Sequence, residues 1–476
     1  MGELKTKAVK GTYWNAAQTL GNKVLSFFFL LLMTRLLLPS DYGMVGMLTV
    51  FMLVADAFIS CGFGQAIVRK QNRTPLDEST VYYFSIAASI VCYIIIFLIA
   101  PWVGDFYNMP ELVPILRVMG LKLIIGSLSS MQLLVYSIEL DFKTPSLINI
   151  TSHLLSGLVG VYLAYTGYGV WALVWQQLTL TIFTSLFFIV VSKWKPIWGF
   201  SWGSFREMFS FGSKLLGTRL LNVVYANLSI VFIGKAYSAV DLGLYSKGRE
   251  MASYPSDTLS GIINNVSYPL LCKLQDDKEK LTLVYRKLIR VVSFLLSPIM
   301  VLAGVMGELM MTTLFGDKWT DSGFYLSLSC YPYAIVPVQF MNLTLLQVVG
   351  RTDLVFRLEV IGKILGVVML IITLPISIEA MCYGVMITTS LCFFINTHYT
   401  SKFIDLTVTQ QLVDLFRPML YSALMGIIVY AITFSFSKGF IPLIMGTFVG
   451  LGLYIGLAAL FRIQEFQDCL DIIKKK

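Results

Sequence analysis

Apolar stretches of about 20 residues, the length at which a helix crosses about 30 Å of hydrocarbon, recur from residue 12 to residue 460. A bilayer offers no water to backbone amides, so each stretch must satisfy its own hydrogen bonds as a helix. Fourteen spans are expected, at 12–37, 43–67, 81–103, 113–137, 148–166, 169–191, 209–234, 242–270, 288–313, 322–347, 358–376, 380–398, 417–435 and 441–460. The chain is 57% hydrophobic and 13% charged, whereas about a quarter of residues are charged in soluble domains. The fold class is therefore an all-α polytopic membrane protein. Lys5, Lys7 and Lys10 precede the first span, but its apolar run is too long for a signal peptide and lacks a small-residue cleavage site, so it reads as a retained anchor.

Loop charge sets the orientation. With the N-terminus in the cytoplasm, most loop and tail Lys and Arg fall on that side, and only Lys235, Lys318 and Lys438 fall in outer loops. That asymmetry follows the positive-inside rule and places the C-terminus in the cytoplasm as well. The net charge of +9 then reflects topology and contact with anionic membrane lipids, not binding to nucleic acid. Seven cysteines, mostly within apolar spans, imply no disulfide framework.

One short pattern occurs twice. "LLMTRLLLPSDYG" and "SIVFIGKAYSAVDLG" place Arg35 and Lys235, Asp41 and Asp241, and Gly43 and Gly243 at a constant offset of 200 residues. Asn22 and Asn222 share the offset, and "YGV" opens the sixth span of each half. The expected organisation is two parallel six-helix bundles, 1–200 and 201–400, followed by two helices and a basic cytoplasmic tail over 401–476. Within the pattern, Pro39 should end the first helix and Asp41 should cap the second. Gly43 eases the turn, and the cation snorkels to the interface. The motif thus reads as a structural hairpin corner.

Other charges lie too deep for a corner. Lys23, Lys122, Lys214, Arg219, Lys247 and Arg249, with the acids Asp56, Glu250, Asp257 and Glu359, fall inside apolar spans. Placing Lys or Arg at mid-helix costs about 2.5 to 3.5 kcal/mol on insertion scales, and such residues usually face a bundle interior or a wet cavity. In the eighth span Lys247, Glu250, Tyr254, Asp257, Gly261 and Asn264 recur at steps of three and four, forming one polar helical face. The cations, with Asn22, Asn222 and Tyr254, are candidate substrate-binding residues of a cavity walled by spans one, seven and eight. The four acids are candidates for ion coupling, Asp257 alternatively capping helix after a break at Pro255. Breaks are also expected at Pro298, Pro332 and Pro337.

No phosphate loop, HExxH, CxxC or GxSxG pattern occurs, and the only histidines, His153 and His398, are in different halves. No metal, cofactor or catalytic residue is expected. Outer loops of about a dozen residues or fewer leave little room for a glycan polymerase or ligase.

In order along the chain, "RLLLPSDYGMVGMLTVF", "FGQAIVRK", "DFYNMPELVPILRVMGL", "IELDFKTPSLINI", "GYGVWALVWQQL", "FSFGSKLL", "LGLYSKGREM" and "LLQVVGRTDL" resemble successive segments of the Wzx-type polysaccharide flippases. The likeness is to their colanic acid exporter group, in the multidrug/oligosaccharidyl-lipid/polysaccharide superfamily. The resemblance implies two six-helix bundles around a cationic central cavity, with two extra helices, in the bacterial inner membrane. It implies translocation of an undecaprenyl-diphosphate-linked oligosaccharide, a surface polysaccharide or lipopolysaccharide unit, from the cytoplasmic to the periplasmic leaflet, without catalysis. Membrane lipids and polysaccharide polymerase machinery are the partners to look for. A diphosphate and several sugars need replacement for lost water, and Lys or Arg suits phosphate. The rival readings are a multidrug or organic-cation antiporter of the same superfamily, which needs a net acidic pocket, and a membrane enzyme that extends or ligates glycans.

Overall fold

The computed structural model describes residues 21–434, 439–461 and 463–467, without the side chains of Lys214, Ile262, Asn264, Asn265 and Phe434. Residues 12–20 of the first expected span and the side chains of Lys214 and Asn264 thus lie outside the described residues.

The chain is all-helical and divides into two compact units, Met1–Gly243 and Leu244–Lys476. The first unit contains α1 (residues 21–36), α2 (Pro39–Ser60), α3 (Phe63–Arg69), α4 (Pro75–Tyr107), α5 (Leu112–Ser127), α6 (Ser130–Ile138), α7 (Lys143–Tyr165), α8 (Val170–Val191) and α9 (Trp202–Ala236). Helix α10 (Ala239–Cys272) starts in that unit and continues into the second. The second adds α11 (Lys278–Val305), α12 (Gly307–Phe315), α13 (Ser322–Val348), α14 (Thr352–Thr373), α15 (Ile378–Thr400), α16 (Val408–Phe434) and α17 (Phe440–Leu460).

Among the described residues nine helices are long and apolar enough to cross a membrane, or ten if the bent pair α5–α6 counts as one span. The shortfall from fourteen has a chemical cause in the second unit. Helix α10 carries Lys247, Arg249, Glu250 and Asp257, and α14 carries Arg357, Glu359 and Lys363, while prolines, hydroxyls and amides dilute α13. Those helices still have the length to span. Large apolar side chains such as Trp102, Leu98, Phe356, Ile427 and Phe448 lie exposed on the helices, as lipid-facing side chains do. Between helices the packing is closed by small and hydroxyl residues. The Ser89 and Ser127 hydroxyls pair at 2.9 Å, and in the second unit Tyr285, Met341, Leu345 and Phe393 form a buried core.

The two corners share one geometry. Pro39 is the first residue of α2 and not the end of α1, and Asp41 takes up the donor just before it, Leu38 N–H to Asp41 Oδ2 at 2.9 Å. Asp241 repeats this with Ser238, accepting from its backbone N–H at 3.1 Å and its hydroxyl at 2.6 Å. The Ser238 hydroxyl in turn accepts from Asp241 N–H at 3.1 Å, which closes a capping box. Both corners fall within the first unit, where they meet reciprocally. A methyl on Gly43 would stand 1.8 Å from Ala239 O, and one on Gly243 would stand 1.9 Å from Pro39 O. Each glycine therefore admits the first turn of the other copy, four residues ahead of its partner glycine. Glycine serves here for backbone approach, beyond the easing of a turn.

Breaks fall elsewhere than the prolines suggest. The second span breaks at Cys61 and Gly62, both left-handed with φ of 36° and 68°. The fourth bends by 41° between α5 and α6, and the ninth breaks at Met306. Pro255, Pro298, Pro332 and Pro337 instead lie inside continuous helices. A helical proline strands the carbonyl four residues earlier, and in three cases a side chain fills the vacancy. Arg117 Nε donates to Phe97 O, stranded by Pro101, at 3.4 Å. Tyr454 Oη donates to Phe294 O, stranded by Pro298, at 3.1 Å. Ser256 Oγ donates to Tyr333 O, stranded by Pro337, at 2.7 Å. Because α10 continues through Pro255, Asp257 caps nothing.

Candidate functional site

The deep charges form two sets, one in each unit. In the first, Asp56 lies on α2, Lys122 on α5 and Arg219 on α9. Lys122 and Arg219 are the cations whose fields reach Asp56. Among the described residues no ion pair within 4 Å joins the three, and Arg219 Nη1 donates to the Ser60 hydroxyl at 2.8 Å. Two cations thus share one carboxylate without collapsing onto it. Asp56 and Lys122 are half-buried between these helices, and Arg219 is exposed.

The elements explain the convergence. Helix α2 packs on α4, α5, α8 and α9, and Asp56 lies one turn before the Cys61–Gly62 break. At that break Gly62 and Gly212 let α9 approach closely, since a methyl on Gly212 would stand 2.0 Å from Cys61 O. Arg219 lies two turns further along α9. Nothing in the spacing of Asp56, Lys122 and Arg219 along the chain announces this grouping.

In the second unit the charges close on one another. Lys247 Nζ meets Glu250 Oε2 at 2.7 Å, with the lysine side chain 4% exposed and the glutamate 40% exposed. Tyr254 Oη donates to Glu250 Oε1 at 3.0 Å. Arg249 Nε donates to Tyr333 Oη at 3.2 Å, and Tyr245 also flanks the guanidinium. Beside this pair Gly248 lets α10 press on α13, a methyl there standing 2.5 Å from Ser322 O. Tyr325 on α13 reaches Glu379 on α15 at 3.4 Å. The polar face of α10 is therefore largely satisfied from Lys247 to Tyr254, and exposed at Asp257 and Gly261.

The remaining candidates are dispersed. Lys23 and Asn222 are exposed on α1 and α9, whereas the Asn22 Oδ1 is buried without a hydrogen-bond partner among the described residues. Glu359 pairs with Lys363 one turn on, at 3.6 Å, on an exposed flank of α14. Arg35 is exposed at its corner, and Lys235 donates to Phe106 O and lies over the Phe106 ring, 5.0 Å from its centre. Among the described residues no cluster of His, Cys, Asp and Glu could hold a metal. The six described cysteines are free. Tyr333, Tyr245, Ser256 and Glu379 were not expected at a site. The proline of "YPYAIVP" (331–337), which frees a carbonyl for Ser256, is the signal that points to them.

The teichuronic acid biosynthesis protein TuaB of Bacillus subtilis (strain 168) is 22% identical over 91% of each chain. The lipopolysaccharide biosynthesis protein WzxC of Escherichia coli (strain K12) is 24% identical over 78% of this chain and 75% of its own. Among solved structures, the lipid II flippase MurJ in an inward closed conformation superposes with a TM-score of 0.74 at 12% identity, covering 94% of this chain and 98% of that one. An inward-facing multidrug resistance transporter of the MATE family, in the MOP superfamily, gives 0.62 at 14% identity over 80% and 95%. This chain shares their fold. The family model described as "Polysaccharide biosynthesis protein" matches residues 32–323, more than half of the sequence. A multi-pass all-helical chain with that match and those relatives belongs to the polysaccharide biosynthesis protein family.

Proposed function

We propose that this chain is a flippase that carries an undecaprenyl-diphosphate-linked oligosaccharide from the cytoplasmic to the periplasmic leaflet of the bacterial inner membrane, with both termini in the cytoplasm. The observation that carries the reading is the Asp56–Lys122–Arg219 set, two cations to one acid, with no ion pair within 4 Å among the described residues and with Asp56 and Lys122 half-buried. A diphosphate entering the membrane needs substitutes for its water, and Lys and Arg held by no carboxylate among the described residues supply them with charge assistance. Two parallel six-helix repeats rocking about the head group would give alternating access. An organic-cation antiporter requires the opposite sign of charge at this point.

Coupling to a proton or sodium gradient would run through Asp56 or Asp257, because Glu250 and Glu359 already hold lysine partners. Transport insensitive to both gradients would remove that part. The reading as a whole is tested by depleting the chain and analysing membrane lipids. A polyprenyl-diphosphate oligosaccharide should accumulate on the cytoplasmic side, and unchanged lipid-linked intermediates would contradict it.

A further inference from the structure

The second unit carries another cationic feature at the start of α11. There Glu279, Leu283, Arg286, Lys287 and Arg290 follow helical spacing along a cavity of 470 Å³, which Asp405 also lines. Asp414 on α16, only 3% exposed, accepts from Arg286 Nε at 2.6 Å and from Arg290 Nε at 2.9 Å. Arg286 Nη2 reaches the same carboxylate at 3.2 Å. One carboxylate cannot neutralise two guanidiniums. Asp405 is taken by Lys278 at 2.6 Å, so among the described residues Asp414 is the one carboxylate within ion-pair distance of the two arginines.

Donors remain as well as charge. A guanidinium carries five N–H groups in a fixed fork that matches phosphate oxygens. Arg290, 11% exposed, gives one of them to Asp414, and among the described residues the others have no hydrogen-bond partner. The buried Asp414 holds both forks in place before any ligand arrives, which lowers the ordering cost of binding. The cavity's position selects the ligand. Leu283 is 65% exposed beside the cavity, and immediately past Arg290 the helix turns apolar as "VVSFLLSPIMVLAGV". The polar turn that precedes such an apolar run is the part of a spanning helix expected at the level of the lipid phosphates. The loop-charge bias assigns this end to the cytoplasmic leaflet, where anionic lipids concentrate.

We infer that the Arg286–Arg290 cavity is a phosphate-binding site occupied by the headgroup of an anionic membrane lipid, separate from the proposed transport path. A soluble phosphate or diphosphate offers the same chemistry, and the test distinguishes the two. The full chain is placed in nanodiscs of phosphatidylcholine with or without phosphatidylglycerol, and in detergent with inorganic phosphate or diphosphate. R286Q leaves the Arg290–Asp414 pair intact, and K280Q removes the same charge from an exposed position on the same helix. Phosphatidylglycerol should raise the unfolding temperature of the wild type and K280Q by several degrees, and that of R286Q by less than half as much. An R286Q-sensitive rise with inorganic phosphate or diphosphate alone would identify a soluble ligand and overturn the lipid assignment. Equal rises in all three chains, or none in the wild type, would overturn the site itself. Should R286Q not fold, R286K, which keeps the charge but loses the fork, must show the same reduced rise.

Discussion

Two solutions to charge within the membrane stand side by side in this molecule. In the second unit, Lys247 is closed by Glu250 and Tyr254, and Arg249 by tyrosines that tie α10 to α13. In the first, Asp56, Lys122 and Arg219 come from three helices, and among the described residues no ion pair within 4 Å joins them. A satisfied network offers little to a cargo, because taking up phosphate would first require breaking short internal bonds. An open set with one acid for two cations leaves charge and donors available. We propose that charge left without a carboxylate partner, and not deep charge alone, marks the binding site.

The largest effect that would sharpen this contrast is expected from E250L, which removes the carboxylate that a buried lysine holds at 2.7 Å. Breaking such a pair should destabilise the chain by about 3 kcal/mol, the low end for buried ion pairs because Glu250 is partly exposed. The double variant K247M/E250L should recover most of that loss, as apolar replacement of a whole pair is often neutral. Thermal unfolding in detergent reads both. Next come G43A and G243A. Each forces a methyl into the other corner and should cost about 2 kcal/mol, the usual range for overpacking. Unequal losses would break the reciprocity of the two corners. In the first unit, K122M or R219M should leave the unfolding temperature nearly unchanged while lowering surface-glycan export about tenfold, or about 1.4 kcal/mol. The smallest effect belongs to S256A, about 1 kcal/mol for a stranded carbonyl. In a P337A background, where the helix regains its own N–H, the loss on removing Ser256 should fall by more than half.

The fold class was legible because the bilayer imposes a length and a polarity on each span, and both are written in composition. The corners were legible as motifs, since a proline followed by a capping aspartate has a local meaning. What the repeat did not disclose was that Gly43 and Gly243 face each other's helix, because a close approach depends on tertiary geometry. The prolines misled for a related reason. A stranded carbonyl breaks a helix only when nothing else can donate to it, and Arg117, Tyr454 and Ser256 each come from a different helix. Among the site candidates, the polar face of α10 was readable from its spacing, but its closure by Tyr333 was not. Asp56, Lys122 and Arg219 were individually visible as deep charges, while their meeting required the glycine contact between Cys61 and Gly212.

Reconstitution into liposomes, with transbilayer movement of a polyprenyl-diphosphate oligosaccharide as the readout, tests the central contrast most directly. K122M/R219M should abolish movement without lowering the unfolding temperature, and K247M/E250L should retain it. Movement that survives loss of both first-unit cations but stops when the Lys247–Glu250 pair is replaced would contradict the account.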